Sequence, residues 1–438
     1  MLIELYGRNF GCFRDEFRLS MLATDIDRKS SRGIAEVHVE GDDEPLRLLR
    51  TIALYGPNAS GKSTVLRAAG ALRKLLRVTG RLSSDSPLPS YEPFALGPQA
   101  HEPVMLGAKA VIDGGVYEYA VEYTEKAFVS EQLKRLMPDG RPQVLIDRRG
   151  RDVDGTWKMD PKFELIASDF RSNALFLSLA DSLLPGLARG IASGLRRLLR
   201  HSDPLAGPLP GFFSAVNAAE RVHEDEEFGE WLVQGLRVAD VGVVDIRLEE
   251  IRPGDEADLY EYLRLKMLAS VGKEDGASPR RSRRSPRRLR LLHEGEGGPM
   301  PLPYGSESLG TKRFVEWAPL IYDLTHATSP RAAFVDELDA SMHPLLLRAI
   351  VQHFNCFAPT SSVRGQLIFT THETTLLDDE AKDAVLRRDQ VYLTAKDATG
   401  ASSLYSVAEF RERNNLNVRR RYLQGRYGAL PSLGSFAE

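Results

Sequence analysis

A glycine-rich loop that ends in a lysine and two hydroxyl residues carries the most specific chemistry in this sequence. Residues 56–63 match the pattern G-x-x-x-x-G-K-[ST] at every fixed position. In such a loop, backbone N–H groups curl around phosphate oxygens, and the positive end of the following helix points at the same oxygens. The lysine adds a point charge, and the next hydroxyl is a ligand for Mg²⁺. The predicted phosphate-binding residues are Gly56, Pro57, Asn58, Ala59, Ser60, Gly61, Lys62, Ser63 and Thr64.

An apolar run that ends in two adjacent carboxylates, Asp336 and Glu337, is the second feature. A buried carboxylate without a partner is costly, and a Mg²⁺ ion supplies the compensation. We expect Asp336 to hold Mg²⁺ through water, across from Ser63. Glu337 would then orient or deprotonate the attacking water. For the acidic pair taken alone, a solvated strand end is the alternative interpretation.

Two further polar residues follow apolar runs in the same half of the chain. Asp339 has two interpretations, because it could cross to a second subunit or cap the next helix. His372 ends the apolar run 366–371. It could donate a hydrogen bond to a γ-phosphate and sense its loss, whereas the alternative is a histidine satisfied by its local neighbours.

Ser308 and Gly310 fit the S-x-G core of an ABC-type signature, shortly before the acidic run. A hydroxyl, a closely approaching backbone and a helix N-terminus together suit phosphate binding. In such folds the signature completes the nucleotide site of a partner subunit, so the motif predicts two copies with ATP between them. A capped helix start is the alternative. The order along the chain is phosphate loop, signature, acidic strand, histidine.

The periodicity of apolar residues predicts the α/β elements that must position these side chains. Expected helices are 62–76, 307–324 and one from Pro344, and residues 172–235 read as a helical insertion. Loops are expected at 24–50 and 80–103, with a linker at 272–288. Expected strands are 2–9, 13–22, 51–55, a hairpin at 104–123, 143–148, 240–267, 289–293, 332–336, 366–371 and 389–395.

Composition is that of an ordinary globular chain, with 438 residues, 42% hydrophobic and 27% charged. The only two cysteines, Cys12 and Cys356, lie far apart, which argues for a reducing compartment. The N-terminus lacks a signal-peptide pattern, and no apolar run approaches the roughly 20 residues of a membrane span. We therefore expect a cytoplasmic location and no membrane partner.

With these motifs in place, the sequence resembles the AAA-type, ABC-like ATPases related to the RecF, SMC and OLD families. Within that group it is most similar to stand-alone ATPases of bacterial antiphage-defence operons. Besides the motifs, four stretches carry the resemblance: 5–13, 91–94, 173–178 and 422–428. It implies an α/β P-loop head with a mixed N-terminal β lobe, a parallel-sheet core and a helical insertion.

Several departures from that group matter. The signature lacks the full L-S-G-G-Q, and Gln99 is a candidate for the Q-loop residue by position only. No long heptad run supports a coiled-coil arm. The chain after His372 is short and shows no nuclease set, so any nuclease activity would belong to a separate protein.

A dense run of arginines occupies residues 280–290. Such a run could bind the phosphate backbone of DNA or RNA, although it lacks the interleaved aromatic residues that stack on bases. A solvated surface loop is the alternative, and it is the interpretation we favour.

The sequence therefore predicts one composite ATPase head over 1–438, which hydrolyses ATP to ADP and phosphate with Mg²⁺. Its predicted parts are an N-terminal β lobe with the P-loop (1–171), the insertion (172–235) and the remainder (236–438). We expect a homodimer or higher oligomer that switches a separate effector protein, such as a nuclease, in antiviral defence. The alternative is a RecF- or SMC-like ATPase that clamps DNA in repair or chromosome maintenance. A transporter subunit is disfavoured by the incomplete signature.

Overall fold

A computed structural model gives the fold. It describes residues 1–25, 31–160, 163, 166–167, 170–183, 186–202, 212–239, 242–250, 287–302, 304–378, 384–410 and 417–431. The chain divides into two compact units. Unit 1 comprises 1–203, 324–339 and 347–438, and unit 2 comprises 204–323 and 340–346. The three-part division expected from the sequence places its boundaries elsewhere and stays a prediction.

A six-stranded sheet forms the core of unit 1, in the order β11-β15-β16-β5-β17-β18. All neighbouring strands run parallel except β18, which is antiparallel to β17. Strands β5 and β16 are buried along their whole length, as expected of central parallel strands. The strand bounds are Thr51–Tyr55 (β5), Arg200–Ser202 (β11), Arg331–Val335 (β15), Gly365–Thr370 (β16), Val391–Lys396 (β17) and Ser402–Ser406 (β18).

A second, seven-stranded sheet of unit 1 is antiparallel throughout, in the order β10-β9-β8-β7-β6-β1-β2. Its hairpin β6–β7 turns at Asp113 and Gly114, whose φ angles of 46° and 80° suit a tight two-residue turn. The strand bounds are Leu2–Arg8 (β1), Phe17–Ser20 (β2), Val104–Ile112 (β6), Gly115–Tyr123 (β7), Phe128–Leu136 (β8), Pro142–Arg149 (β9) and Asp152–Asp154 (β10).

Helix α1, Lys62–Val78, follows the phosphate loop and packs its apolar face into the same core. The core side of the helix consists of small and aliphatic residues, which lets it approach the sheet closely. The buried apolar residues of α1 are Val65, Leu66, Ala68, Ala69, Ala71, Leu72, Leu75 and Leu76. Unit 1 also contains α2 (Phe176–Leu183), α3 (Leu187–Leu198), most of α7 (Pro344–Asn355) and α8 (Val418–Leu423).

Unit 2 combines a three-stranded antiparallel sheet with helices. The strands are β12 (Val243–Glu250), β13 (Arg287–His293) and β14 (Met300–Leu302). The helices are α4 (Phe212–Glu224), α5 (Glu226–Val238) and most of α6 (Leu309–Thr325).

Most predicted elements are confirmed, with ends shifted by a few residues. The expected loop at 24–50 is wrong, because β3 (Ile34–Val37) and β4 (Leu46–Leu49) pair there as a two-stranded sheet. Their apolar residues, such as Ala35 and Leu48, are buried, which stabilises a hairpin that the surrounding charged residues obscure. Within the described part of 172–235, helices α2, α3, α4 and α5 form as expected, and β11 joins the core sheet beside β15. Strands β8, β10, β14 and β18 and helix α8 were missed.

The arginine run lies mostly outside the described residues, at 280–286. Arg287 and Arg288, expected in a linker, instead begin strand β13. Arg288 and Arg290 both form ion pairs with Glu249 on β12, at 3.0 and 2.9 Å. These two cations therefore share one carboxylate across the sheet. Within the described residues, no helix has both the length and the apolar character needed to cross a bilayer.

Candidate functional site: the carboxyl edge of the core sheet

The phosphate loop leaves the carboxyl end of β5 in a conformation that depends on its glycines. Gly56 and Gly61 have φ angles of 148° and 111°, values that residues with a Cβ rarely adopt. A Cβ on Gly56 would also lie 2.5 Å from the carbonyl oxygen of Thr394 on β17. The hydroxyls of Thr394 and Ser60 are 2.6 Å apart. The loop is therefore held from behind by the neighbouring strand, while Asn58 and Ala59 at its tip are exposed.

Lys62 is folded back into the loop that precedes it. Its Nζ donates to the carbonyl oxygens of Gly56 and Pro57, at 2.9 and 3.0 Å. Burial lowers the pKa of Lys62, and the negative charges of Asp336, Glu337 and Asp339 oppose that shift. These electrostatic interactions join the phosphate loop to the acidic end of β15, with one strand, β16, between them.

Thr370, the last residue of β16, positions both carboxylates that follow β15. Its Oγ1 donates to Asp336 Oδ1 at 2.6 Å and accepts from the backbone N–H of Glu337 at 2.7 Å. Glu337 has a φ of 47°, a left-handed conformation that costs a residue with a Cβ about 1–2 kcal/mol. Asp336 is partly buried and Glu337 is exposed. The backbone conformation at Glu337 thus places the two adjacent carboxylates in different environments, one partly buried and one exposed.

Asp339 contacts the histidine segment, residues 372–378, which belongs to the same unit. Its Oδ2 accepts from the backbone N–H of His372 at 3.0 Å, and Leu338 N–H donates to Thr370 O at 3.2 Å. Asp339 does not cap α7, because the N–H of Leu345 in the first turn bonds to His343 Nδ1 instead. The helix-cap interpretation is therefore wrong, while a contact with a second subunit stays a prediction. The His372 ring itself is exposed.

Ser308 and Gly310 belong to unit 2, whereas the other predicted site residues belong to unit 1. Ser308 caps α6, because its Oγ accepts from the N–H of Thr311 at 3.1 Å. A Cβ on Gly310 would lie 3.0 Å from the carbonyl oxygen of Ser341, so glycine allows a close approach there. Ser308 is exposed. The capped helix start is thus present, and a role on a partner's nucleotide stays a prediction.

Gln99, the Q-loop candidate, lies in a segment fastened to the end of β1. The Nδ2 of Asn9 donates to the carbonyl oxygens of Gln99, Glu102 and Pro103, at 2.9–3.3 Å. Gln99 Oε1 is buried and accepts no hydrogen bond within the described part of the chain. Its role stays a prediction.

Two hydroxyl residues at this edge were missed from the sequence. Thr370 links the carboxylates, and Thr394 backs the phosphate loop. Both lie at or near the ends of strands that were themselves predicted, so the missing information was the strand order. Once β16 and β17 are known to flank β5, a hydroxyl at the carboxyl end of each becomes a candidate.

The residues at this edge fit a triphosphate with a divalent cation. The first N–H groups of α1 have no partner within the helix and lie beside a lysine. Asp336 retains acceptor capacity, and Asp339 Oδ1 is buried without a hydrogen-bond partner in the described residues. Cationic groups and open N–H groups for phosphate thus stand beside carboxylate oxygens, the preferred ligands of Mg²⁺.

Known proteins are similar to this chain to different degrees. The family model described as "AAA domain, putative AbiEii toxin, Type IV TA system" matches residues 52–378. No curated protein sequence matches the chain significantly. Among solved structures, the SMC head domain from Thermotoga maritima is 13% identical with a TM-score of 0.37, covering 92% of this chain and 98% of that chain. The recombination mediator protein RecF with ATPrS, of the RecFOR pathway, is 12% identical with a TM-score of 0.34. The match covers 92% of this chain and 98% of the RecF chain.

Likeness to solved structures at this level does not assign a function. The family match is of a different kind, because it extends over more than half of the 438 residues and begins inside β5, just before the phosphate loop. It ends at Asp378, beyond the acidic pair and His372, so it contains every predicted site residue. The chain belongs to the AAA-domain family of the putative AbiEii toxin of type IV toxin–antitoxin systems.

Proposed function

We propose that this protein binds and hydrolyses ATP at the carboxyl edge of its core sheet. The observation that carries the proposal is the strand order, which brings the phosphate loop after β5 and the carboxylates after β15 to the same edge of the sheet, with one strand, β16, between them. A lysine in a phosphate loop beside a carboxylate pair has the charges that a nucleotide and a divalent cation require. Membership of an AAA family accords with this chemistry.

Each residue has a separate role in the proposal. Backbone N–H groups of the phosphate loop and Lys62 bind the β- and γ-phosphates. Ser63 and Asp336 would hold Mg²⁺, which neutralises charge on the phosphate oxygens when bound. Glu337 orients or deprotonates the attacking water, and its separate, exposed environment suits that task. His372 donates a hydrogen bond to the γ-phosphate.

The second part of the proposal is that two copies close on ATP. Ser308 and Gly310 of one copy would complete the site of the other. Support comes from the exposed, capped N-terminus of α6, where the Ser308 hydroxyl lies beside a glycine that allows close approach of the backbone. The dimer would act as a switch on a separate effector in antiviral defence. Toxin–antitoxin systems have two components, so the family description accords with a partner protein.

Hydrolysis and light-scattering measurements on the full chain test this proposal. Glu337→Gln should bind ATP, lose hydrolysis by about 10²- to 10⁴-fold, and accumulate dimers when ATP is added. Adding Ser308→Arg to that variant should prevent the dimers and leave ATP binding intact. Normal hydrolysis by Glu337→Gln would remove Glu337 from its role, and dimers that persist with Ser308→Arg would remove Ser308.

Co-purification from the native host separates the switch from the DNA clamp. A stoichiometric protein partner supports the switch. ATP-dependent binding to duplex DNA without such a partner supports the clamp. If replacing the arginines of 280–290 with serine abolished that DNA binding, the segment would be assigned as the DNA contact.

A further inference from the structure

The short C-terminal helix α8 packs against the base of the phosphate loop. Tyr422 is buried, and its ring centroid is 5.7 Å from that of Tyr55 in an edge-to-face arrangement. Tyr55 is the last residue of β5 and directly precedes Gly56. The structure gives a physical reason for the tyrosine in the resembling stretch 422–428. Its ring covers the end of β5, the strand that leads into the phosphate loop.

Tyr55 connects the same point to the histidine segment. Its hydroxyl donates to the carbonyl oxygen of Glu373, the residue after His372, at 2.9 Å. Burial, together with the negative charge of Asp339, raises the pKa of Tyr55 well above its ordinary value. The hydroxyl therefore stays protonated and keeps donating this hydrogen bond.

Arg419 of α8 holds the other end of that segment. Its Nη1 donates to Asp378 Oδ2 at 2.9 Å, and its Nε lies 3.3 Å from Thr374 Oγ1. Thr374 begins the helical turn Thr374–Leu377, and Asp378 directly follows it. Both members of the ion pair are more than a third exposed, so the contact adds little to global stability. Its effect is to fix the turn at two points.

We propose that α8 is a positioning element for His372, acting through Arg419 and Tyr422 on the segment 373–378. The segment is then held from three sides: by Asp339 at the His372 N–H, by Tyr55 at the Glu373 carbonyl, and by Arg419 at its far end. Release of α8 frees the far end and lets the His372 ring leave the γ-phosphate. The inference rests on the proposed ATPase function.

Steady-state ATP hydrolysis by full-length variants tests the inference. Arg419→Ala should lower kcat by about fivefold to tenfold with KM and affinity for a fluorescent ATP analogue within about twofold, because only the γ-phosphate contact is disturbed. Arg419→Lys, which keeps the charge but not the two-point contact, should lie between. Arg426→Ala is the matched control, because Arg426 is exposed on the same C-terminal segment. This variant should hydrolyse ATP at the wild-type rate.

A double-variant cycle separates positioning from a merely structural role. In a His372→Ala background, Arg419→Ala should have no further effect on kcat, because both changes remove the same interaction. Effects that multiply, or an unchanged kcat in Arg419→Ala, would overturn the inference while the ATPase proposal stood. A wild-type protein that binds the analogue but never hydrolyses ATP would overturn both proposals.

Discussion

The two ends of the core sheet use polar residues in opposite ways. At the amino ends of the strands, buried side chains bond to one another and to the backbone. At the carboxyl ends, charged side chains retain donor and acceptor capacity. Both ends belong to unit 1 and to the same strands, so the difference lies in what surrounds them.

The amino end is closed. Gln366 is fully buried, and its Oε1 accepts from Leu2 N–H at 2.7 Å. Its Nε2 donates to the carbonyl oxygens of Leu2 and Leu49, each at 3.0 Å. The Gln366 side chain thereby joins strand β1 of the antiparallel sheet to the end of β4, just before β5. Gln390 similarly donates to Thr51 and Asn355, at 2.7 and 3.1 Å.

A buried cation at the closed end, Arg50, donates to backbone carbonyl oxygens, and its guanidinium lies over the Phe357 ring at 5.5 Å from the centroid. Arg50 is 1% exposed and donates to the carbonyl oxygens of Ile34, Ala358 and Val363. Burial, with repulsion from Arg364, lowers the pKa of Arg50 to about 10. Lys62 at the open end also donates to carbonyl oxygens, but three carboxylates act on it as well. We therefore expect the closed end to determine stability and the proposed ATPase activity to depend on the open end.

Gln366→Leu should have the largest effect on folding. The change leaves three buried backbone groups without their partners, at about 1–3 kcal/mol each, so unfolding should become easier by about 3 kcal/mol or more. Chemical denaturation measures this loss. Gln143→Leu, at an exposed position of β9, is the control and should change little. Equal losses in both variants would mean that the end of the sheet is not closed by Gln366.

Lys62→Ala should have the largest effect on binding. Loss of a charged donor to phosphate costs about 1.5–3 kcal/mol, so the Kd for ATP should rise by about 10- to 100-fold or more. Titration calorimetry measures the affinity, and the thermal midpoint without nucleotide should hardly move. Lys74→Ala, exposed on the same helix, is the matched control. An unfolded Lys62→Ala protein would instead place Lys62 among the structural residues.

Thr370→Val should have a smaller effect, because it touches the catalytic groups only through their positions. Both hydrogen bonds of Oγ1 are lost, and we expect kcat to fall by about tenfold, with ATP affinity retained. Thr370→Ser keeps the hydroxyl and should stay near the wild-type rate. If Thr370→Val hydrolysed ATP normally, Asp336 and Glu337 would not depend on this residue for their geometry.

The open end was predictable from the sequence, and the closed end was not. The phosphate loop and the acidic pair have fixed spacing that follows from the ligand they bind, so residues 56–63, Asp336 and Glu337 could be named without a fold. Gln366 and Asn355 form hydrogen bonds with partners 30 to 364 residues away. No local pattern marks such pairs, because their partners are set by the packing of two sheets.

The contacts of helix α8 were also not predictable from a local sequence pattern. Tyr422 was visible only as part of a resemblance, and Arg419 lies outside the stretch that carries it. Their roles depend on Tyr55 and Asp378, which are distant in sequence. Strands β3 and β4 were missed for a related reason, since each has only four residues, three apolar and one charged, and so shows no alternating pattern.

The central claim is that Ser63 and Asp336 hold one Mg²⁺ ion beside the nucleotide bound at Lys62. Titration calorimetry with ATP, in Mg²⁺ and in EDTA, tests it most directly. We predict that Mg²⁺ strengthens ATP binding to the wild type, and that Ser63→Ala and Asp336→Asn each abolish this gain while leaving Mg²⁺-free binding unchanged. A wild type indifferent to Mg²⁺, or an Asp336→Asn variant that keeps the full gain, would contradict the claim.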